Sequence, residues 1–329
     1  MKKIHKLLII LFALFFLTAC QKEDTNSKDK TIVYTTTAPI YDFTKEIVAD
    51  KMEVRNILEG VTSAHSFEPT SDLIIELAKA KALLVNGAGM ELWLHDLEDS
   101  LPKDMVLVDC SEYVNLLPAV EHHHEEIEDE HDHEEEEEEH QHEMEDEHGH
   151  DHGEFDPHYW FSLSQSQNQA KKIFEAIVAL DPENKEFYQK NFDQLNQKFD
   201  EMEEKYTKAL EKYKGKAFIV PHRAFSYLAK EYDLIQISIE GILAEGQPNA
   251  KRIAEIIEEA KKYSIKAVFY DKNGSSKSAE TIAEELGVET LPIHTLESLT
   301  KEEVKAGENY FSLMEKNLDN LLKAFGDQI

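Results

Sequence analysis

Sixteen histidines are distributed very unevenly along this 329-residue chain. Ten of them, His122, His123, His124, His131, His133, His140, His142, His148, His150 and His152, fall between Glu121 and Glu154, among nineteen Asp or Glu and no Lys or Arg. Imidazoles and carboxylates are both ligands for divalent cations. At this density and without fixed spacing they would bind Zn2+ weakly and at several places, so the run reads as an accessory cation collector or sensor. The plainer reading is a solvated, acidic low-complexity loop. Directly after it stands a differently built piece, Phe155-Asp156-Pro157-His158-Tyr159-Trp160-Phe161, with one histidine set between a proline and three aromatics. That composition describes a fixed, shielded position. A metal ion is the expected subject of the chain, and His158 part of an ordered site for it.

Past the N-terminal leader and outside the run, only His65, His95, His158, His222 and His294 remain. Two of these follow segments that read as strands: His65 lies in the loop after 52–58, and His222 comes directly after 216–220. Glu297 stands in the same relation to the segment 288–293. In open α/β sheets ligands bind outside the carboxyl ends of the strands, so these positions are candidates for one site. His95 reads as an ordinary surface histidine. His294, three residues before Glu297, is read as a neighbour of the site or a bystander.

The elements that must position these groups alternate. Segments 31–36, 52–58, 82–86 and 105–109 read as strands, with helices over Pro39–Ala49, from Ser71 as cap, and after Gly87 through Trp93. Beyond Gly215 the rhythm resumes: strands over 216–220, 234–239, 266–270 and 288–293, and helices opening at Pro221 and over 248–263, 276–286 and 301–325. This is an α/β pattern with largely parallel sheets flanked by helices. Between the two halves, Tyr188, Phe192, Leu195, Phe199, Met202, Tyr206, Ala209 and Tyr213 recur at steps of three and four. Asp181-Pro182 supplies a start and Gly215 a stop, giving one helix of roughly 32 residues, or about 48 Å. A hairpin partner or an intermolecular coiled coil would use the same pattern, but no second helix of comparable length is evident. The expected layout is an N-terminal lobe over 31–180 that carries the run 121–154, a rigid linking helix over 181–214, and a C-terminal lobe over 215–329.

The N-terminus bounds the compartment. Lys2, Lys3 and Lys6 precede an apolar run of eleven residues, Leu7 to Leu17, which is the plan of a secretory signal and too short for a membrane span of about twenty residues. Leu17-Thr18-Ala19-Cys20 resembles a bacterial lipobox, so 1–19 reads as a signal peptide, Cys20 as the lipidated residue, and 20–30 as a polar tether. The only other cysteine, Cys110, ends an apolar strand and reads as a buried small hydrophobe. The net charge of −32 makes nucleic acid an improbable partner and cations natural ones. More than half of that charge sits in 121–154.

Four ordered blocks carry a resemblance: His65-Ser66-Phe67-Glu68-Pro69, Asp156-Pro157-His158-Tyr159-Trp160, His222-Arg223-Ala224-Phe225-Ser226-Tyr227-Leu228 and Asn273-Gly274-Ser275-Ser276-Lys277. In these the chain resembles the zinc- and manganese-binding lipoproteins that serve ABC importers, the cluster A-I solute-binding proteins, closest to the zinc-binding members with a His-rich loop. The likeness covers nearly the whole mature chain. It departs at Gln247-Pro248-Asn249, where the family has Glu-Pro-Ser, and at Ser162, where it has Asp. The resemblance implies His65, His158 and His222 as metal ligands and Glu297 as the fourth, with Asp271 as the acidic alternative. Glu68 and Arg223 are candidates to orient the ligands. Manganese-binding relatives typically place Glu where this chain has His222. Three neutral imidazoles with one carboxylate also suit tetrahedral Zn2+, whereas manganese prefers more oxygen.

The function so implied is a zinc-binding receptor, lipid-anchored on the extracytoplasmic face of a bacterial cell membrane. It is expected to be monomeric, to catalyse nothing, and to hand Zn2+ to the permease of an ABC zinc importer. A manganese receptor of the same family is the alternative. A zinc hydrolase would use the three histidines as ligands and Glu297 as a general base, although no His-Glu-x-x-His motif or nucleophile elbow occurs. A surface adhesin with an unknown host ligand, a role ascribed to members of this family, is compatible with either metal.

Overall fold

Parallel strands covered by helices on both sides are buried along most of their length, and the central strands here follow that rule. In the computed structural model, which describes residues 30–60, 64–97, 100–119, 154–244 and 248–327, β1 (Ile32–Thr35) is followed by helix α1 (Ala38–Val48), β2 (Glu53–Asn56), α2 (Ser71–Leu77), β3 (Ala82–Val85), the single turn α3 (Leu94–Leu97) and β4 (Val106–Asp109). All four residues of β3 are buried, while Val106 and Leu107 on the edge strand β4 are exposed. The sheet order is β2-β1-β3-β4 and each pairing is parallel. The residues expected to form the leader and the lipobox with Cys20, and the histidine run from Glu121 to Gly153, lie outside the described residues.

Next come α4 (Leu163–Leu180), α5 (Lys185–Leu210), β5 (Ala217–Val220), α6 (Ser226–Glu231), β6 (Ile235–Ser238), α7 (Ala250–Ala260), β7 (Ala267–Asp271), α8 (Lys277–Leu286), β8 (Glu289–Ile293), α9 (Lys301–Ala306) and α10 (Tyr310–Phe325). The second sheet, β6-β5-β7-β8, repeats the order of the first, again all parallel. In both sheets the chain reverses direction across the sheet beside the first strand, between β1 and β3 and between β5 and β7. Such switch points open the crevices in which α/β proteins bind ligands.

The long helix is real but shorter than its periodicity suggests. Its α-helical part has 26 residues, about 39 Å, with 3-10 turns at Pro182–Asn184 and Glu211–Tyr213. Asp181 does not cap it; its carboxylate accepts from the Tyr188 hydroxyl and the Asn184 amide, each at 2.7 Å. The helix has a companion that the sequence did not reveal. The 18-residue α4 runs into it and packs along it, with Phe174 stacked on Phe192 at 4.7 Å between ring centroids.

The long helix binds both lobes. Asn191 donates to the Ile47 carbonyl and Phe199 meets Phe43, both on α1 of the first lobe. Further along, Tyr206 packs on Tyr232 and donates to the Met314 carbonyl in the second. The C-terminal segment adds a further tie. Rather than one helix it is two, broken where Gly307 takes φ +79° and Asn309 caps α10. Tyr310 at the start of α10 then returns to the first lobe, where its ring meets Phe43 at 4.9 Å and its amide donates to Asp42. One apolar core therefore runs from the first sheet into the second, and α7 and α8 close a smaller core on the outer face of the second sheet. Among the other ends, Thr70 rather than Ser71 caps α2, and 221–225 is a loop before α6.

Candidate metal centre

Each candidate ligand is delivered by a different segment. His65 lies in the loop after β2 and His222 directly after β5, and both are buried. His158 ends the stretch Phe155–Pro157 and leads into a 3-10 turn, Tyr159–Phe161, whose three aromatic side chains are all fully buried. Glu297 follows β8, immediately after Leu296, which stands at φ +60°. Burial of three imidazoles and a carboxylate together is costly unless a partner repays it.

The four groups converge. Nε2 of His65 and Nε2 of His158 are 3.1 Å apart. Oε1 of Glu297 lies 3.9 Å from each of these nitrogens and 3.3 Å from Nε2 of His222. One ligand atom from each residue falls within 4.8 Å of all the others, the one such grouping among the described residues. A tetrahedron with bonds of about 2.0–2.1 Å to zinc has edges of about 3.3–3.4 Å between ligand atoms. The measured separations bracket that edge.

Protons and lone pairs point the same way. Nδ1 of His158 lies 2.9 Å from Oδ1 of Asp156, which also accepts the His158 amide at 3.0 Å. A carboxylate can only accept, so the ring proton sits on Nδ1 and Nε2 offers its lone pair to the centre. Nε2 of His222, near Glu297 but not aligned with it for a hydrogen bond, has no other polar partner. A cation among these atoms would satisfy all of them at once. Burial, reinforced by the neighbouring His158 and His222, lowers the His65 pKa to about 3, so His65 is neutral at any physiological pH. Burial also works against a charged His222, but Glu297 beside it overcomes this and raises its pKa. For Glu297 burial alone would favour the neutral acid. The three histidines around it prevail and hold its carboxyl far below the ordinary range.

Asp271 stands close by but apart from the four. Its carboxylate accepts from the Asn273 amide at 2.9 Å and faces the Thr295 hydroxyl at 3.4 Å. His95 is exposed on α3, as expected of a bystander, and so is Glu68. His294 is not on the surface: it is 3% exposed. The accessory histidines from 122 to 152 lie outside the described residues.

Over residues 33–324 the chain matches the family described as ZnuA, zinc-uptake complex component A, periplasmic. It belongs to that family. It is 36% identical to the high-affinity zinc uptake system protein ZnuA of Bacillus subtilis over 326 residues, 97% of each chain. It is also 36% identical to the zinc-binding lipoprotein AdcA of Streptococcus pneumoniae, covering all of this chain and 62% of that one. The chain thus spans about three fifths of the length of its streptococcal relatives. The Zn(II)-bound ZnuA-like domain of S. pneumoniae AdcA superposes with a TM-score of 0.72 at 31% identity, over 91% of this chain and all of that domain. The fold expected from the sequence, two lobes with largely parallel sheets flanked by helices and joined by a long one, is the fold found.

Several supporting residues were not evident from sequence. Asp156 was visible only as part of a matching block. Trp160 donates from Nε1 to the Thr295 carbonyl and so ties the His158 segment to the Glu297 loop. The Tyr227 hydroxyl donates to the Asp156 carbonyl at 2.7 Å and accepts the Leu117 amide at 2.9 Å. The two ends of the histidine run are paired there: Ala119 donates to the Glu154 carbonyl and Asp156 to that of Leu117.

Proposed function

We propose that this chain is a zinc receptor of the cell surface, holding Zn2+ through His65, His158, His222 and Glu297 and passing it to the permease of an ABC importer. Lipid on Cys20 would keep it on the extracytoplasmic face of a bacterial membrane, and 121–154 would gather cations near the site. The observation that carries this reading is the donor set. Three imidazole nitrogens and one carboxylate oxygen, at separations close to a tetrahedral edge, form a site suited to zinc. The names of the relatives, zinc uptake protein and zinc-binding lipoprotein, support the same cargo.

Capture follows from the chemistry of the ligands. Hydrated Zn2+ exchanges its waters for neutral nitrogens and an ionised carboxylate. His65 and Glu297 are already in those states, while the proton that Glu297 favours on His222 competes with the metal. Four protein ligands leave no open position for an activated water, which favours a carrier over a hydrolase. The single carboxylate favours zinc over manganese. The lobe layout proposed is 31–180 and 215–329 about the 181–214 link, and a frame tied by α5 and α10 favours small local movements at the site over wide closure.

The test is a zinc and manganese titration of soluble protein lacking 1–20 and 121–152, a deletion that keeps the paired ends of the run. One tight zinc, lost in His158→Ala, is expected. A preference for manganese, or no tight zinc without the run, would overturn the assignment.

A further inference from the structure

Leu296, directly before Glu297, adopts φ +60°, a conformation that a bulky branched residue takes only when its surroundings impose it. Trp160 holds the Thr295 carbonyl on one side of this turn and the Ala38 amide holds the Glu297 carbonyl on the other, and one side chain holds Leu296 itself. The Leu296 amide donates to Nδ1 of His294 at 2.9 Å, two residues back. This is the geometry of a turn normally made by Asn or Asp, whose side-chain oxygen accepts from the backbone N–H two positions on. His294 is in turn held on every side. Its own amide donates to Oδ1 of Asn317 at 2.9 Å, and Nδ2 of Asn317 returns a bond to its carbonyl at 2.8 Å. With Nδ1 accepting, the ring proton belongs on Nε2, which lies 3.3 Å from Oε1 of Glu303 and 3.2 Å from the side-chain amide of Asn273. The other oxygen of that carboxylate accepts the Thr300 amide at 2.9 Å, which closes the far end of the Glu297 loop.

We infer that His294 is the positioning residue for Glu297: its imidazole substitutes for an Asx side chain, fixes the left-handed turn at Leu296, and aims the carboxylate at the metal. It does not itself touch the cargo. The inference rests on Glu297 being a ligand, as proposed above. It assigns a role to a buried histidine that the ligand set leaves unused, and it makes α9 and α10, through Glu303 and Asn317, the support of the fourth ligand.

The experiment measures zinc affinity of the full mature chain by competition with a chelator, for His294→Ala, His294→Asn, Glu297→Ala and the double variant His294→Ala/Glu297→Ala. The Ala variant at 294 is expected to bind zinc about ten- to a hundred-fold more weakly, the usual effect of losing a group that orients a ligand. The Asn variant keeps an acceptor for the Leu296 amide, so it should retain near-native affinity although its Tm falls with the lost Glu303 contact. Once Glu297 is gone, His294→Ala should cost no further affinity. If Asn binds as poorly as Ala, or if His294→Ala weakens the Glu297→Ala protein equally, His294 does not act through Glu297. A Glu297→Ala protein with unchanged affinity would instead remove the ligand assignment itself. Should the Ala variant fail to fold, 15N NMR of the native imidazole decides: an unprotonated Nδ1 supports the turn, and a proton on Nδ1 overturns it.

Discussion

Oδ1 of Asp156 holds Nδ1 of His158 at 2.9 Å, while the opposite nitrogen of the same ring faces His65 at 3.1 Å. One carboxylate thus sets both the tautomer and the aim of a buried candidate ligand. Partners of this kind contribute about 10–100-fold to metal affinity. Asp156→Ala should therefore weaken zinc binding by roughly one to two orders of magnitude, read by chelator competition. An unchanged affinity would show that proline and aromatic packing alone orient His158.

Protons compete with zinc unequally across the three histidines. His65, lowered to about 3, carries no proton to displace. His222, which the neighbouring Glu297 raises above its ordinary value, holds its proton more firmly at pH 6.5 than a free imidazole would. Zinc binding at that pH should release a proton from the His222–Glu297 pair, and affinity should fall as pH drops through the raised value. Calorimetry in buffers of different ionisation enthalpy measures the release; none at pH 6.5 would contradict the picture.

His65 also links pH to the stability of the metal-free fold. Its folded pKa lies below the unfolded one, so between about 3 and 6.5 only the unfolded chain takes up the proton. The contribution is complete above 6.5 and declines on acidification, by about 1.4 kcal/mol per pH unit within that window. His222 has the opposite sign: its stabilisation is present below 6.5 and fades as pH rises through its raised value. The metal-free His65→Phe variant should therefore lose less stability than the native chain between pH 6.5 and 5, read by denaturant midpoints. A parallel decline in both would argue against a neutral, buried His65.

Tyr227 joins the second lobe to the segment that carries His158 and to the root of the histidine run. Tyr227→Phe removes one hydroxyl and leaves the half-buried Leu117 amide without its acceptor and the buried Asp156 carbonyl without its donor. Loss of such bonds costs about 1–3 kcal/mol. Chemical denaturation should show that loss, together with weaker zinc binding than in the native chain. Unchanged stability would mean that water replaces the hydroxyl without cost.

Much of the site was legible because its residues are rare types in telling places. His65 and His222 come after strands, His158 sits in a proline–aromatic setting, and Glu297 follows β8. The long helix showed itself through Tyr188, Leu195, Phe199 and Tyr206, which are all buried. Its companion α4 was hidden because the inward face carries Ser166 and Gln169, both fully buried. Those residues look like solvent-facing positions in a sequence. In the fold Ser166 donates to the Trp160 carbonyl, and Gln169 to the Tyr159 hydroxyl. The break before α10 did leave a trace in Gly307 and Asn309, a left-handed stop followed by a cap. His294 gave no signal of burial, since its partners Glu303 and Asn317 are brought to it only by tertiary packing.

Zinc K-edge X-ray absorption on the protein lacking 1–20 and 121–152, loaded with one equivalent of zinc, tests the central claim most directly. The account predicts four ligands at about 2.0–2.1 Å, with the multiple-scattering pattern of three imidazoles and one oxygen. Loss of one imidazole in His222→Ala should follow. A first shell of five or six oxygen-rich ligands, or one that His222→Ala leaves unchanged, would contradict a site built from His65, His158, His222 and Glu297.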